Sequence, residues 1–260
     1  MKIDLNCDMG ESFGRYALGA DELLMPHITS ANIACGFHAS DPVVMDRTVR
    51  LAREHGVGIG AHPGYPDLQG FGRRDMQLSP HEAEAAILYQ IGALAAFARA
   101  AGAACPERSR GELVHVKAHG ALYNQAARDR TLAQAIVRAV GRFSRQLVVV
   151  GLANSAMIEA AVEAGQPVAR EAFADRAYEA DGSLRSRRLP GAVHHDAAQA
   201  AEQAVCIARD GMVIAWGGDE VPVQAETLCV HGDTPGALPI VQTIRQALVE
   251  AGVEVAPLAP

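Results

Sequence analysis

The stretch LVHVKAHGALYN, residues 113–124, places His115, Lys117 and His119 two residues apart. On a β-strand, side chains two apart share a face, so Val114, Val116 and Ala118 line one side while the two imidazoles and the ammonium line the other. An ammonium enclosed by a fold requires a counter-charge, because burial without one costs several kcal/mol or removes the proton. Asp8, Glu171, Asp175 and Asp233 are the candidate anions. A lysine held in this way serves either as half of a structural ion pair or as a cation that meets negative charge developing on a substrate.

The same sorting of polar and apolar residues recurs elsewhere. In MKIDLNCD, Asp4, Asn6 and Asp8 alternate with Ile3, Leu5 and Cys7. In VGIGAHPG, His62 shares a face with Gly58 and Gly60, and in TLCVHGD, Thr227, Cys229, His231 and Asp233 share one. Each run delivers its polar member at the carboxyl end, where α/β folds assemble their sites. Asp8, His62, Lys117, His119 and His231 are therefore the catalytic candidates. Asp8 could act as a general base, orient a histidine, bind a metal or simply cap the following GESFG turn. Asn6, His38, Arg73, Arg74, Asn124, Glu171, Asp175, Arg176 and Asp233 are the candidates for holding a substrate. Arg73 and Arg74 lie in the Gly- and Pro-rich loop 62–75, which reads as a lid or anion clamp, or as a surface loop packed by its own Tyr65 and Phe71. The remaining histidines, 27, 55, 81, 194 and 195, read as surface or structural groups, and Cys35 as a buried thiol rather than a nucleophile beside His38. Asp8, His38, His62, His119 and His231 are chemically acceptable ligands for a divalent metal, with Asp8, His62 and His119 the set expected if one binds, although no two of the five stand at HxxxH or HExxH spacing. Neither a GxxxxGK[ST] loop nor a GxGxxG turn opening a helix occurs.

Positioning these residues calls for parallel strands joined by crossover helices. Strand-like runs are predicted at 2–8, 29–34, 57–62, 113–118, 147–151, 167–173 and 227–231. Helices are predicted at 41–55, 79–101, 131–140, 155–164, 196–210 and 235–251. Asp41–Pro42 and Ser79–Pro80 have the form of cap and first-turn pairs. The segment 212–223 reads as a small hairpin inserted before the last strand. No linker or repeat divides residues 1–260, so one domain is expected, and seven strands favour a TIM-like barrel over an open doubly wound sheet.

The 260 residues are 49% hydrophobic and 20% charged, enough for a sizeable core. With 30 acidic against 23 basic residues the chain has no nucleic-acid footprint. Five scattered cysteines without CxxC spacing suit reduced thiols in the cytoplasm. No uninterrupted apolar run reaches the roughly 18 residues of a membrane span, so a membrane location is not expected.

Taken together, IDLNCDMGESFG, ITSANIACGFHASDP, GIGAHPGYPDLQGFGRR, HVKAHGALYN, FADRAY and VHGDTPGA resemble the LamB/YcsF family along nearly the whole chain. Two departures stand out: Ala118 replaces the proline usual before HGALYN, and 103–112 forms a longer connection. The resemblance implies a distorted seven-stranded TIM-like barrel of the glycoside hydrolase/deacetylase kind. It further implies ATP-dependent opening of 5-oxo-L-proline to L-glutamate, with ATP as co-substrate, together with 5-oxoprolinase B and C subunits. Such chemistry needs a base for water (Asp8 or a histidine), a cation near oxygen or phosphate (Lys117), and clamps for carboxylate or phosphate (Arg73, Arg74 or Arg176). Two other readings are a metal-dependent deacetylase-like hydrolase working without ATP and a non-catalytic lactam- or sugar-binding subunit. Tyr65 and Phe71 are expected to anchor partner contacts, and replacing Asp8 or Lys117 is expected to leave folding intact.

Overall fold

The strands form where period-2 patterns end in turn residues, and the helices where small apolar residues recur between caps. The computed structural model describes residues 1–103, 112–230 and 236–258. In chain order the elements are β1 (Lys2–Met9), α1 (Asp21–Leu24), a 3-10 turn (Met25–His27), β2 (Ser30–Ala34), α2 (Pro42–Glu54), β3 (Gly58–His62), α3 (Pro80–Ala103), β4 (His115–Lys117), α4 (Gly120–Ala126) and α5 (Arg130–Phe143). They continue with β5 (Val148–Leu152), α6 (Ala156–Glu163), β6 (Val168–Phe173), α7 (Ala197–Asp210), β7 (Met212–Ile214), β8 (Glu220–Pro222), β9 (Thr227–Val230), α8 (Ala237–Glu250) and β10 (Glu254–Val255).

Seven parallel strands run in the order β1-β2-β3-β4-β5-β6-β9, and β9 pairs back onto β1 to close the barrel. The short β10 adds to the start of β1 through Lys2↔Glu254 and Ile3↔Val255. As the sequence predicted, 212–223 holds a hairpin, β7 with β8. The caps also form as expected. The Asp41 side chain accepts from the amides of Val43 and Val44, and Ser79 and Glu82 cap each other reciprocally. The structure adds α1, α4 and β10, which are too short to show a period, and carries α3 past Gly102 to Ala103. By length and composition, α3 is apolar enough to cross a membrane. Its Ile87, Ile91 and Leu94 are buried in the core, and its Gln90 bonds both main-chain polar groups of Gly64, as befits a helix of the barrel wall.

The outward face of the strands (Ile3, Leu5, Ile33, Val116, Val149, Leu228) makes the greasy layer under the helices. The inward face is polar to an unusual degree. At the amino end, the Asp4 carboxylate accepts from the hydroxyls of Thr29 (2.7 Å), Ser30 (2.7 Å) and Thr227 (2.6 Å). Burial nevertheless raises this carboxyl above its ordinary value, an effect larger than that of the hydroxyl donors that lower it. One layer up, the Asn6 amide donates to Glu171 Oε1 (3.0 Å) and Thr227 Oγ1 (2.6 Å), while its oxygen accepts from Asn32 (2.7 Å) and Lys117 (3.2 Å). His115 reaches Asn32 Oδ1 at 2.7 Å across Gly60, where any Cβ would collide with the imidazole. Bonded polar side chains thus fill much of the barrel, and the apolar Val148, Val150 and Ala169 of β5 and β6 complete it.

Candidate active site

Above the Asn6 layer lies the carboxyl end of the barrel, and a lysine sits between the two. Lys117, the last residue of β4, is 3% exposed. Its ammonium contacts Glu171 Oε1 at 2.8 Å, Asp8 Oδ1 at 3.1 Å and the Cys229 sulfur at 3.1 Å. Of the anions considered for it, Asp8 and Glu171 are the partners found among the described residues, which do not include Asp233. Burial alone would lower its pKa, but Asp8, Cys229 and Glu171 hold it well above the usual lysine value, so it remains an ammonium. The same pairing makes Glu171 a buried anchor for Lys117 and Asn6 rather than a group at the rim. It also argues against removing Lys117 without consequence for folding, because its loss leaves the fully buried Glu171 without its counter-charge.

Asp8, near the end of β1, is the part of this network that faces outward, with 17% of its side chain exposed. It accepts from Asn32 Nδ2 (2.8 Å) and Lys117, and its second oxygen lies 3.3 Å from His62 Nε2. Burial would raise its pKa, but His62 and Lys117 outweigh it and hold the carboxyl well below the ordinary range, so Asp8 is an anion at neutral pH.

The histidines are locked from behind. His62 Nδ1–H donates to the Lys117 carbonyl (2.7 Å), which leaves Nε2 facing the mouth. His119 Nε2–H donates to the Phe71 carbonyl (2.8 Å), leaving Nδ1 facing His62 Nε2 at 3.0 Å. His38 is fully buried and stacks on His119 with centroids 3.7 Å apart and planes 4° from parallel. Burial, followed by the neighbouring His62, pushes His119 down to about 3, and burial likewise carries His38 well below its ordinary value, so His119 and His38 are neutral. Glu11 was missed in the sequence. Gly10 takes a left-handed φ of 68° just after β1, and this turn brings Glu11 Oε1 to 3.6 Å from His119 Nδ1 and 3.7 Å from His38 Nε2. The pattern Asp-x-Gly-Glu at a strand end was the available signal, but period-2 reasoning stops where the strand does. One potential ligand atom from each of Glu11, His38, His62 and His119 fits within a 4.8 Å group capable of holding a metal.

The other candidates are distributed more widely. Arg73 stacks over Phe71 with its guanidinium carbon 4.9 Å from the ring centroid, and Phe71 in turn meets His119 and His38 edge-on. Arg74 is paired with Asp67 of its own loop. Arg176 uses its guanidinium on the main-chain carbonyls of Ala192 and Arg185, fastening the loop after β6, and Asp175 is buried in that loop. Asn124 lines a neighbouring cavity of about 590 Å³ with Tyr65, Asp75, Gln125 and Arg128. Tyr65 is buried and bonded to Gln125, which removes it as a contact anchor, whereas Tyr16 is 74% exposed. Cys35 is a buried thiol pushed up to about 12 by burial, no nucleophile. His231, Asp233 and most of the long 103–112 connection lie outside the described residues.

A closed parallel barrel whose strand ends gather an ionised carboxylate, a buried ammonium and three imidazoles defines the class of TIM-like α/β barrel enzymes. The chain belongs to the LamB/YcsF family, whose model matches residues 3–260. It is 57% identical to the 5-oxoprolinase A subunit of Chloroflexus aggregans over 98% of this chain and 98% of that one. It is also similar to the lactam utilization protein of Thermus thermophilus, with 48% identity and a TM-score of 0.92 covering 99% and 100% of the two chains. A family 4 carbohydrate esterase from Streptomyces lividans, 12% identical with a TM-score of 0.50 over 100% of this chain and 93% of that one, shares the fold alone. The closed seven-stranded, TIM-like parallel barrel expected from the sequence is the fold observed.

Proposed function

We propose that the chain is the barrel subunit of a cytoplasmic, ATP-dependent 5-oxoprolinase, acting with B and C partner subunits to hydrolyse 5-oxo-L-proline to L-glutamate. The observation that carries this reading is the ionised, partly exposed Asp8 wedged between Lys117 and His62 at the barrel mouth. Its relatives' names supply the substrate class. A five-membered lactam is a poor electrophile, and transfer of the ATP γ-phosphoryl group to the lactam oxygen activates its carbon. Water, relieved of a proton by Asp8, adds to that carbon. The ring C–N bond then breaks as nitrogen takes a proton, and a second water hydrolyses the resulting acyl phosphate to glutamate and phosphate. Lys117, directly behind Asp8, offsets the negative charge that builds as water adds. Arg73, at the edge of the mouth, suits the substrate carboxylate or the phosphate.

The sequence lacks phosphate-loop and dinucleotide fingerprints, which supports delivery of the activated lactam with the help of partner subunits. The four described free cysteines fit a reducing compartment. Glutamate release from 5-oxoproline, assayed for the chain alone and with B and C subunits, with and without ATP, tests the reading. Release is expected only when partners and ATP are both present. Ring opening by the complex without ATP would favour a deacetylase-like hydrolase instead.

A further inference from the structure

We propose that Glu11, His38, His62 and His119 form a binding site for one divalent ion of the zinc type. This set adds Glu11, which the sequence did not single out, to three of the histidines read there as acceptable ligands and leaves out Asp8; it holds whichever lactam the barrel takes.

The argument begins with two nitrogens that face each other. His62 Nδ1 and His119 Nε2 are each committed as donors to main-chain carbonyls, at 2.7 and 2.8 Å. In the neutral rings His62 Nε2 and His119 Nδ1 are therefore both lone pairs, and they stand 3.0 Å apart. Two lone pairs at that distance require a cation between or beside them, either a proton or a metal ion. Three features favour the metal. Outer nitrogens anchored on carbonyls are the arrangement that orients ligating histidines. A third ring, His38, is fully buried at the same place with neither nitrogen hydrogen-bonded. A carboxylate oxygen, Glu11 Oε1, stands 3.6 Å from His119 Nδ1 and 3.7 Å from His38 Nε2.

The spacing is also appropriate. Metal–nitrogen bonds of about 2.0–2.1 Å put neighbouring ligands of a tetrahedral ion about 3.3 Å apart. The two distances from Glu11 and the one between His62 and His119 lie within a few tenths of an ångström of that value. The planes of His62 and His119 cross at 88°, so an ion can lie in both. The parallel His38 ring must tilt out of its stack to join them. Three ligands are thus ready and the fourth is adjustable. Imidazoles with one carboxylate suit zinc and its first-row neighbours better than magnesium or calcium.

The test uses the purified full chain, stripped with a chelator, dialysed, and titrated with Zn2+ by calorimetry and with Co2+ by visible absorption. One ion per chain is expected, with the intense visible bands of low-coordinate Co2+. Glu11→Gln and His62→Ala should each weaken binding at least about tenfold, and His38→Ala should weaken it measurably, with circular dichroism confirming that each variant is folded. Failure of the folded parent chain to bind either ion stoichiometrically would overturn the site and leave a shared proton between the rings. Unchanged affinity in both Glu11→Gln and His38→Ala would overturn this ligand set. Because binding is read without substrate, a chain that takes the ion but supports no ring opening would count against the lactam reading alone.

Discussion

Lys117 shows how a single residue can be structural and chemical at once. Its ammonium neutralises Glu171 below and steadies Asp8 above, at 2.8 and 3.1 Å, so two acids compete for one base inside the barrel. Removing one member of a buried ion pair costs about 3–5 kcal/mol because the other is left uncompensated. Lys117→Ala is therefore expected to destabilise the chain by about that amount, and adding Glu171→Gln should return much of the loss. Urea denaturation of the two single variants and the double variant checks this coupling, and additive effects would contradict it. Turnover of the assembled enzyme should stay low in the double variant, since the charge behind Asp8 is still missing. At this scale the sequence was informative about identity and poor about partners. The run of Asp8, His62, Lys117 and His119 at strand ends was visible from alternation alone. That Glu171 lies beneath the lysine, while Arg176 holds the carbonyls of Ala192 and Arg185, depends on distances between strands that no local pattern encodes.

At the scale of elements, the seven barrel strands were legible because each combines a period-2 face with a turn at its end, and the long helices because their caps are chemically marked. What escaped was short or non-periodic. The four residues of α1 and two of β10 cannot establish a period, and α4 starts only one residue after the site histidine it follows. The loop 62–75 was recognised, but its role differs from a free lid. It wraps the histidines, with Phe71 against two of their rings and Gly72 between their side chains. Gly72 has a φ of 63°, and a Cβ there would lie 2.8 Å from His38 Cβ and 2.9 Å from His119 Cδ2. Gly72→Ala should destabilise the fold by about 1 kcal/mol or more through the left-handed conformation, and should also shift both imidazoles. NMR of the histidine ring protons, read beside the melting temperature, tests this. Unmoved His38 and His119 signals would show that the loop does not set their positions.

For the whole molecule, the barrel stacks three hydrogen-bonded layers, from Asp4 through Asn6 and Asn32 to Asp8, with the histidines above them. Each layer fixes the next, which explains how an ionised carboxylate and a buried ammonium are held 3.1 Å apart. Family membership and fold class were both accessible from ordered motifs spread over the chain, whereas the ring-to-ring geometry that defines the mouth emerged only on closure of β9 onto β1. The central claim is that Asp8 at this mouth is the base of a partner-dependent ring opening. The measurement that addresses it most directly is ATP-dependent glutamate release by the complex assembled with Asp8→Asn in place of the parent chain, after confirming that the variant folds and joins its partners. The amide keeps the side chain's shape but removes its charge, so release should fall about a hundredfold or more. Release within a few-fold of the parent rate would contradict the account and place the base elsewhere.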